Sequence, residues 1–189
     1  MNYKYEYLSD IVLNYTYVSK DNKSFMAVLY QNNDILCFSL NPKNTDCPDI
    51  VKNIQNAFLI FLNTYMSNPN FDQSSLKQNM DKNIVVGVDL DNIDKDASTI
   101  LYNDNKNLIS ILGDQNIVKN GNIFHELFHL AFKKETAFRK GLNEGYVEAL
   151  THRYFKKNKL AYSDNVYYAL ELEKIVGMDN MEEAISKAT

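Results

Sequence analysis

A chain of 189 residues, 45% hydrophobic, 12% aromatic and 23% charged, has the composition of one folded globular domain with a sizeable core. Six glycines and three prolines exclude collagen-like repeats and proline-rich stalks, and a formal net charge of −4 removes the electrostatic motive for nucleic acid or an anionic membrane surface. No apolar run approaches the roughly 20 residues of a membrane-spanning helix. The opening MNYKYEYLSD lacks the basic-then-apolar order of a signal peptide, and Cys37 and Cys47 are too few for a disulfide framework. The expected setting is cytoplasmic.

In chain order, Tyr3, Tyr5 and Tyr7, then Tyr15 and Tyr17, alternate with polar residues at the period of a half-buried strand. FMAVLY (Phe25–Tyr30) and ILCFSL (Ile35–Leu40) flank a turn-forming Gln31–Asp34 and predict a hairpin. Pro48-Asp49 opens a helix whose apolar residues, Ile50, Val51, Ile54, Phe58, Phe61, Leu62 and Tyr65, fall at helical spacing until Asn68-Pro69. Ile84–Leu90 reads as a buried strand, and Thr99–Tyr102 with Leu108–Leu112 as a second hairpin. After Gly113 the pattern turns helical. One helix runs from an Asn122 cap to about Lys134. A second follows the break at Gly141 with Asn143 as cap and spans Glu144 to about Lys157. A third follows Asp164 and stops at Gly177, and a short last one is capped by Asp179. A β-rich half (1–113) holding one helix, followed by a helical half (114–189), makes an α+β fold in a single domain spanning 1–189.

The chemistry concentrates in the helical half. His125-Glu126-Leu127-Phe128-His129 is an H-E-x-x-H motif in an apolar helical run. Histidines four residues apart lie on one helix face, so both imidazoles can reach one Zn²⁺, and Glu126 is offset enough to act as general base on a water without ligating the ion. A catalytic zinc needs a third protein ligand. Fifteen and nineteen positions beyond His129, in GLNEGYVE, Glu144 and Glu148 are again four apart on one face of a second helix. Phe124, Leu127, Phe128, Ala131 and Phe132 read as the core that buries the metal helix.

HELFH followed by GLNEGYVE resembles the gluzincins, thermolysin-like and aminopeptidase-like zinc metallopeptidases in which a second helix brings an Asn-Glu pair to the metal. It is more similar still to small H-E-x-x-H proteins of Gram-positive bacteria and their phages. These carry an Asn-Glu-Gly-x-x-Glu run and then a tyrosine- and glutamate-bearing helix, as Tyr167, Glu171, Ile175, Val176 and Gly177 do here. The resemblance covers about 121–188 and implies a minimal zincin-like fold. It implies His125, His129 and Glu144 as zinc ligands, Glu126 as general base, and Glu148 as the carboxylate that holds a ligand histidine in its tautomer. The spacing from His129 to Glu144 is shorter than in the thermolysin or aminopeptidase branches, which leaves Glu148 open as a rival ligand. No tyrosine stands between Leu130 and Asn143, where thermolysin-type enzymes keep an oxyanion donor, so Arg139 is the cationic candidate there. Tyr154, Tyr162, Tyr167 and Tyr168 are further candidates. His152 continues the face of Glu144 and Glu148, either as a hydrogen-bond partner or proton donor near the metal, or as a surface histidine two turns below it.

These readings predict a cytoplasmic zinc-dependent peptidase acting on a peptide or protein substrate, with no nucleic-acid or membrane partner. The edge strand for an extended substrate is sought in Thr99–Leu112. The alternatives are a catalytically silent metal-binding regulatory or interaction protein on a zincin fold, and an interaction module without metal.

Overall fold

The computed structural model describes residues 25–31, 34–39, 48–80, 83–89, 99–103, 108–114, 116–132, 140–157 and 160–187. Tyr3–Tyr17, Cys47 and Arg139 lie outside them. Five strands, β1 (Phe25–Gln31), β2 (Asp34–Ser39), β3 (Asn83–Asp89), β4 (Thr99–Asn103) and β5 (Leu108–Asp114), pair in the order β2-β1-β3-β5-β4. Neighbours are antiparallel except β3 and β5, which run parallel with Val86 opposite Ile111. The chain therefore passes from β3 out to the edge at β4 and returns as β5 between them.

Six helices are described: α1 (Pro48–Ser67), α2 (Gln73–Met80), α3 (Asn122–Ala131), α4 (Lys140–Phe155), α5 (Ser163–Val176) and α6 (Met178–Lys187). Among the described residues helix predominates over strand, and the first half holds two helices beside its strands where one helix was expected. The additional helix, α2, is capped by Asp72, whose carboxylate accepts from the Ser74 backbone N–H at 3.0 Å. α1 begins with Pro48, whose missing N–H costs nothing in a first turn. The helical half follows expectation in its order. No helix among the described residues is long and apolar enough to cross a membrane.

Helix ends in the second half differ from the sequence reading. α3 is preceded by Gly121 in the left-handed region (φ +76), and Asn122 is its first residue instead of its cap. Its last helical residue is Ala131, short of Lys134. α4 begins at Lys140, so Gly141 and Asn143 sit inside it and neither breaks nor caps it. The reason is packing: α5 lies directly against this turn. A Cβ on Gly145 would stand 2.2 Å from the backbone oxygen of Asn165, an approach only glycine permits.

The core lies between sheet and helices. Ile84 and Val86 on β3 and Ile109 and Ile111 on β5, two residues apart on each strand, are fully buried with Phe58, Phe61 and Tyr65 of α1. The apolar stripe of α3 joins the same cluster, with Phe124, Leu127, Phe128, Ala131 and Phe132 all buried. Phe128 meets Phe61 edge-on at 5.1 Å, and Phe124 stacks flat on Phe155 of α4 at 4.1 Å. α3 is thus anchored on its apolar side to α1 and α4, which fixes where its histidines point.

Candidate metal centre

His125 and His129, one turn apart on α3, turn their rings edge to face with centroids 4.7 Å apart. Their Nε2 atoms are 3.0 Å from each other, and each is 3.2 Å from Oε2 of Glu144, in the second turn of α4. Three donor atoms form a nearly equilateral triangle. An ion bound at 2.0–2.1 Å by tetrahedrally arranged nitrogen and oxygen ligands separates them by about 3.3 Å. His125, His129 and Glu144 could hold a metal ion. Gly145 contributes by letting α5 pack beside the turn that carries Glu144.

Compared with known proteins, the chain matches no family model, no curated protein and no solved structure. The case for a metal site therefore stands on side-chain geometry.

Glu148 does not join the triangle. It lies one turn further along α4, fully buried, and its Oε2 accepts from His125 Nδ1 at 2.9 Å. An ionised carboxylate only accepts, so Nδ1 carries a proton, and when the ring is neutral it is Nε2 that is bare toward Glu144 and His129. Glu126, beside His125, is itself buried at 4% exposure. Among the described residues no hydrogen bond or ion pair engages its carboxylate; its charge acts on His125 through space.

Charge within the cluster shifts its groups strongly. Burial pushes the His125 pKa down, but hydrogen bonds to Glu144 and Glu148 and the nearby charge of Glu126 outweigh it and hold the value up at about 9. Hydrogen bonds with His125 and His129 keep Glu144 well below the usual carboxylate range against the opposing effect of burial. Burial raises Glu148, but His125, Lys157 and the backbone N–H of Ala161 together bring it below its ordinary value. In the metal-free protein a proton on His125 stands where a cation would compete for the same acceptors.

The remaining candidates separate clearly. His152 is exposed, and its Nδ1 lies 2.6 Å from the backbone oxygen of Lys157, so it serves the chain turn after α4 and not the donor triangle. Tyr162 stacks over His125 with ring centroids 5.9 Å apart. Tyr154 donates to Glu182 at 2.7 Å, whereas Tyr167 and Tyr168 are exposed and pack on each other. Two contributors escaped the sequence reading. Lys157 reaches Glu148 across the end of α4, with no local pattern to announce it. Gly145 stands inside the Asn-Glu-Gly run, but its necessity depends on where α5 packs.

Proposed function

We propose that the protein is a zinc-dependent peptidase in which Glu126 is the general base. The observation that supports this most is the triangle of His125 Nε2, His129 Nε2 and Glu144 Oε2, with sides of 3.0–3.2 Å, beside an acid that no donor among the described residues engages. Zinc held by these three would supply a water of lowered pKa and polarise the scissile carbonyl. The chain's own groups do the rest. Glu148 keeps the Nδ1 proton on His125 and so directs the Nε2 lone pair inward. Glu126 accepts the proton of the attacking water and delivers it to the leaving amine.

β4 lies at the sheet edge, paired only with β5 among the described residues, and α3 packs against both. An extended peptide could add along that edge by main-chain hydrogen bonds. Tyr162, exposed and stacked on the His125 ring, is the candidate contact for a developing oxyanion. The setting we assign to this reaction is the cytoplasm.

The test is Glu126→Gln in zinc-loaded protein, assayed on a peptide library after purification to constant specific activity. The variant is expected to retain its metal and lose hydrolysis by about 10²–10⁴-fold. Equal hydrolysis by variant and wild type would refute the mechanism. A zinc-loaded wild type that cleaves nothing in the library would favour the silent metal-binding reading.

A further inference from the structure

The carboxylate of Glu148 is completely buried and receives three donors. His125 Nδ1 lies 2.9 Å and Lys157 Nζ 2.9 Å from Oε2, while Lys157 Nζ at 2.8 Å and the Ala161 backbone N–H at 2.7 Å meet Oε1. Lys157 thus bridges both oxygens, and it is itself only 6% exposed. A buried ammonium is costly to desolvate unless fully paired, so this placement needs support from the fold. Three features supply it. Lys156 takes a left-handed conformation (φ +53) directly after α4 and turns the chain back. His152 Nδ1 meets the backbone oxygen of Lys157 and fixes that turn. The aliphatic stem of Lys157 crosses Gly121 at the start of α3, where an added Cβ would stand 3.2 Å from Lys157 Cγ.

We propose that Lys157 is a positioning residue of the metal centre. By bridging the Glu148 carboxylate it sets the plane and position from which Glu148 grips His125, and so holds Nε2 in line with His129 and Glu144. The end of α4, the start of α3 and the donor triangle then form one mechanical unit, joined through a lysine that touches no ligand. This proposal rests on the metal-binding reading of the triangle.

Zinc affinity of the full chain, measured by competition with a chromogenic chelator, tests it in wild type, Lys157→Met and Lys157→Arg. Lys157→Met is expected to bind zinc about 10–100-fold more weakly. Lys157→Arg should recover most of that loss, because a guanidinium can also bridge two carboxylate oxygens. Equal affinity in wild type and Lys157→Met overturns the proposal. So does a loss of the same size in both variants, which would mark a lysine needed only for folding. No zinc uptake by the wild type would overturn the underlying metal site instead. If Lys157→Met does not fold, nitrogen NMR of the zinc-loaded wild type decides. A slowly exchanging lysine ammonium that disappears in Lys157→Arg supports the bridge, and lysines that all exchange freely with water refute it.

Discussion

Helix α4 carries two partly buried clusters of acids and bases, one on Glu144 and Glu148, the other on Tyr146, Arg153 and Tyr154. In the second, protein donors meet each carboxylate oxygen. Glu173 receives Arg153 at 2.6 and 2.8 Å and the Tyr146 hydroxyl at 2.6 Å. Glu182 receives Tyr154 at 2.7 Å and Arg153 at 3.2 Å on one oxygen, Asn68 at 3.0 Å and Asn70 at 3.3 Å on the other. That cluster is closed, and it fastens α5, α6 and the turn after α1 onto α4. In the first cluster Glu148 is met in the same way, by His125, Lys157 and Ala161. At its other end His125 Nε2, His129 Nε2 and Glu144 Oε2 converge, and such a triangle is held together by a shared proton or by a cation. Burial and charge are common to both clusters. What distinguishes the candidate metal centre is that three metal-ligating atoms converge on one another.

Breaking the closed cluster should have the larger effect on stability. Arg153→Met removes its one cation among the described residues and leaves the buried Glu182 and its neighbour Glu173 uncompensated. A loss of about 3–5 kcal/mol in urea unfolding is expected, with zinc uptake by the folded protein unchanged. A loss below about 1 kcal/mol would place this cluster with ordinary surface pairs.

Gly145→Ala forces α5 away from α4 beside Glu144 and should cost about 1–3 kcal/mol by overpacking. Unlike Arg153→Met, it should also weaken zinc binding, because the displaced turn carries a donor. Full zinc affinity in a destabilised Gly145→Ala would separate the helix contact from the site.

A pH dependence is peculiar to the metal-centre cluster. With His125 raised from 6.5 to about 9 in the folded protein, the charged ring stabilises the metal-free fold fully below pH 6.5. That contribution disappears as pH rises from 6.5 through 9. The melting temperature of metal-free protein should fall across this window, and zinc should remove the dependence by replacing the proton. A metal-free protein whose melting is flat or rises there would contradict the assigned interactions.

The sequence discloses most where the chemistry is local. H-E-x-x-H places two imidazoles on one helix face by periodicity alone, and the apolar residues around it are the ones that pack on Phe61 and Phe155. Glu144 and Glu148 could be paired as neighbours on a helix, but not told apart as ligand and supporting carboxylate. That distinction depends on how α4 crosses α3. Lys157 was invisible because its contact passes through a left-handed residue and over a glycine thirty-six positions away. Asn122 and Asn143 carried capping chemistry, yet tertiary packing moved both helix starts. The parallel pairing of β3 with β5 has no local signal either, since it joins strands separated by β4.

Metal content of the purified, unchelated protein beside His129→Ala tests the account most directly. About one zinc per chain in the wild type, lost in the variant, is the predicted result for a three-residue donor site. A wild type that carries no metal and takes up none when zinc is offered would contradict it.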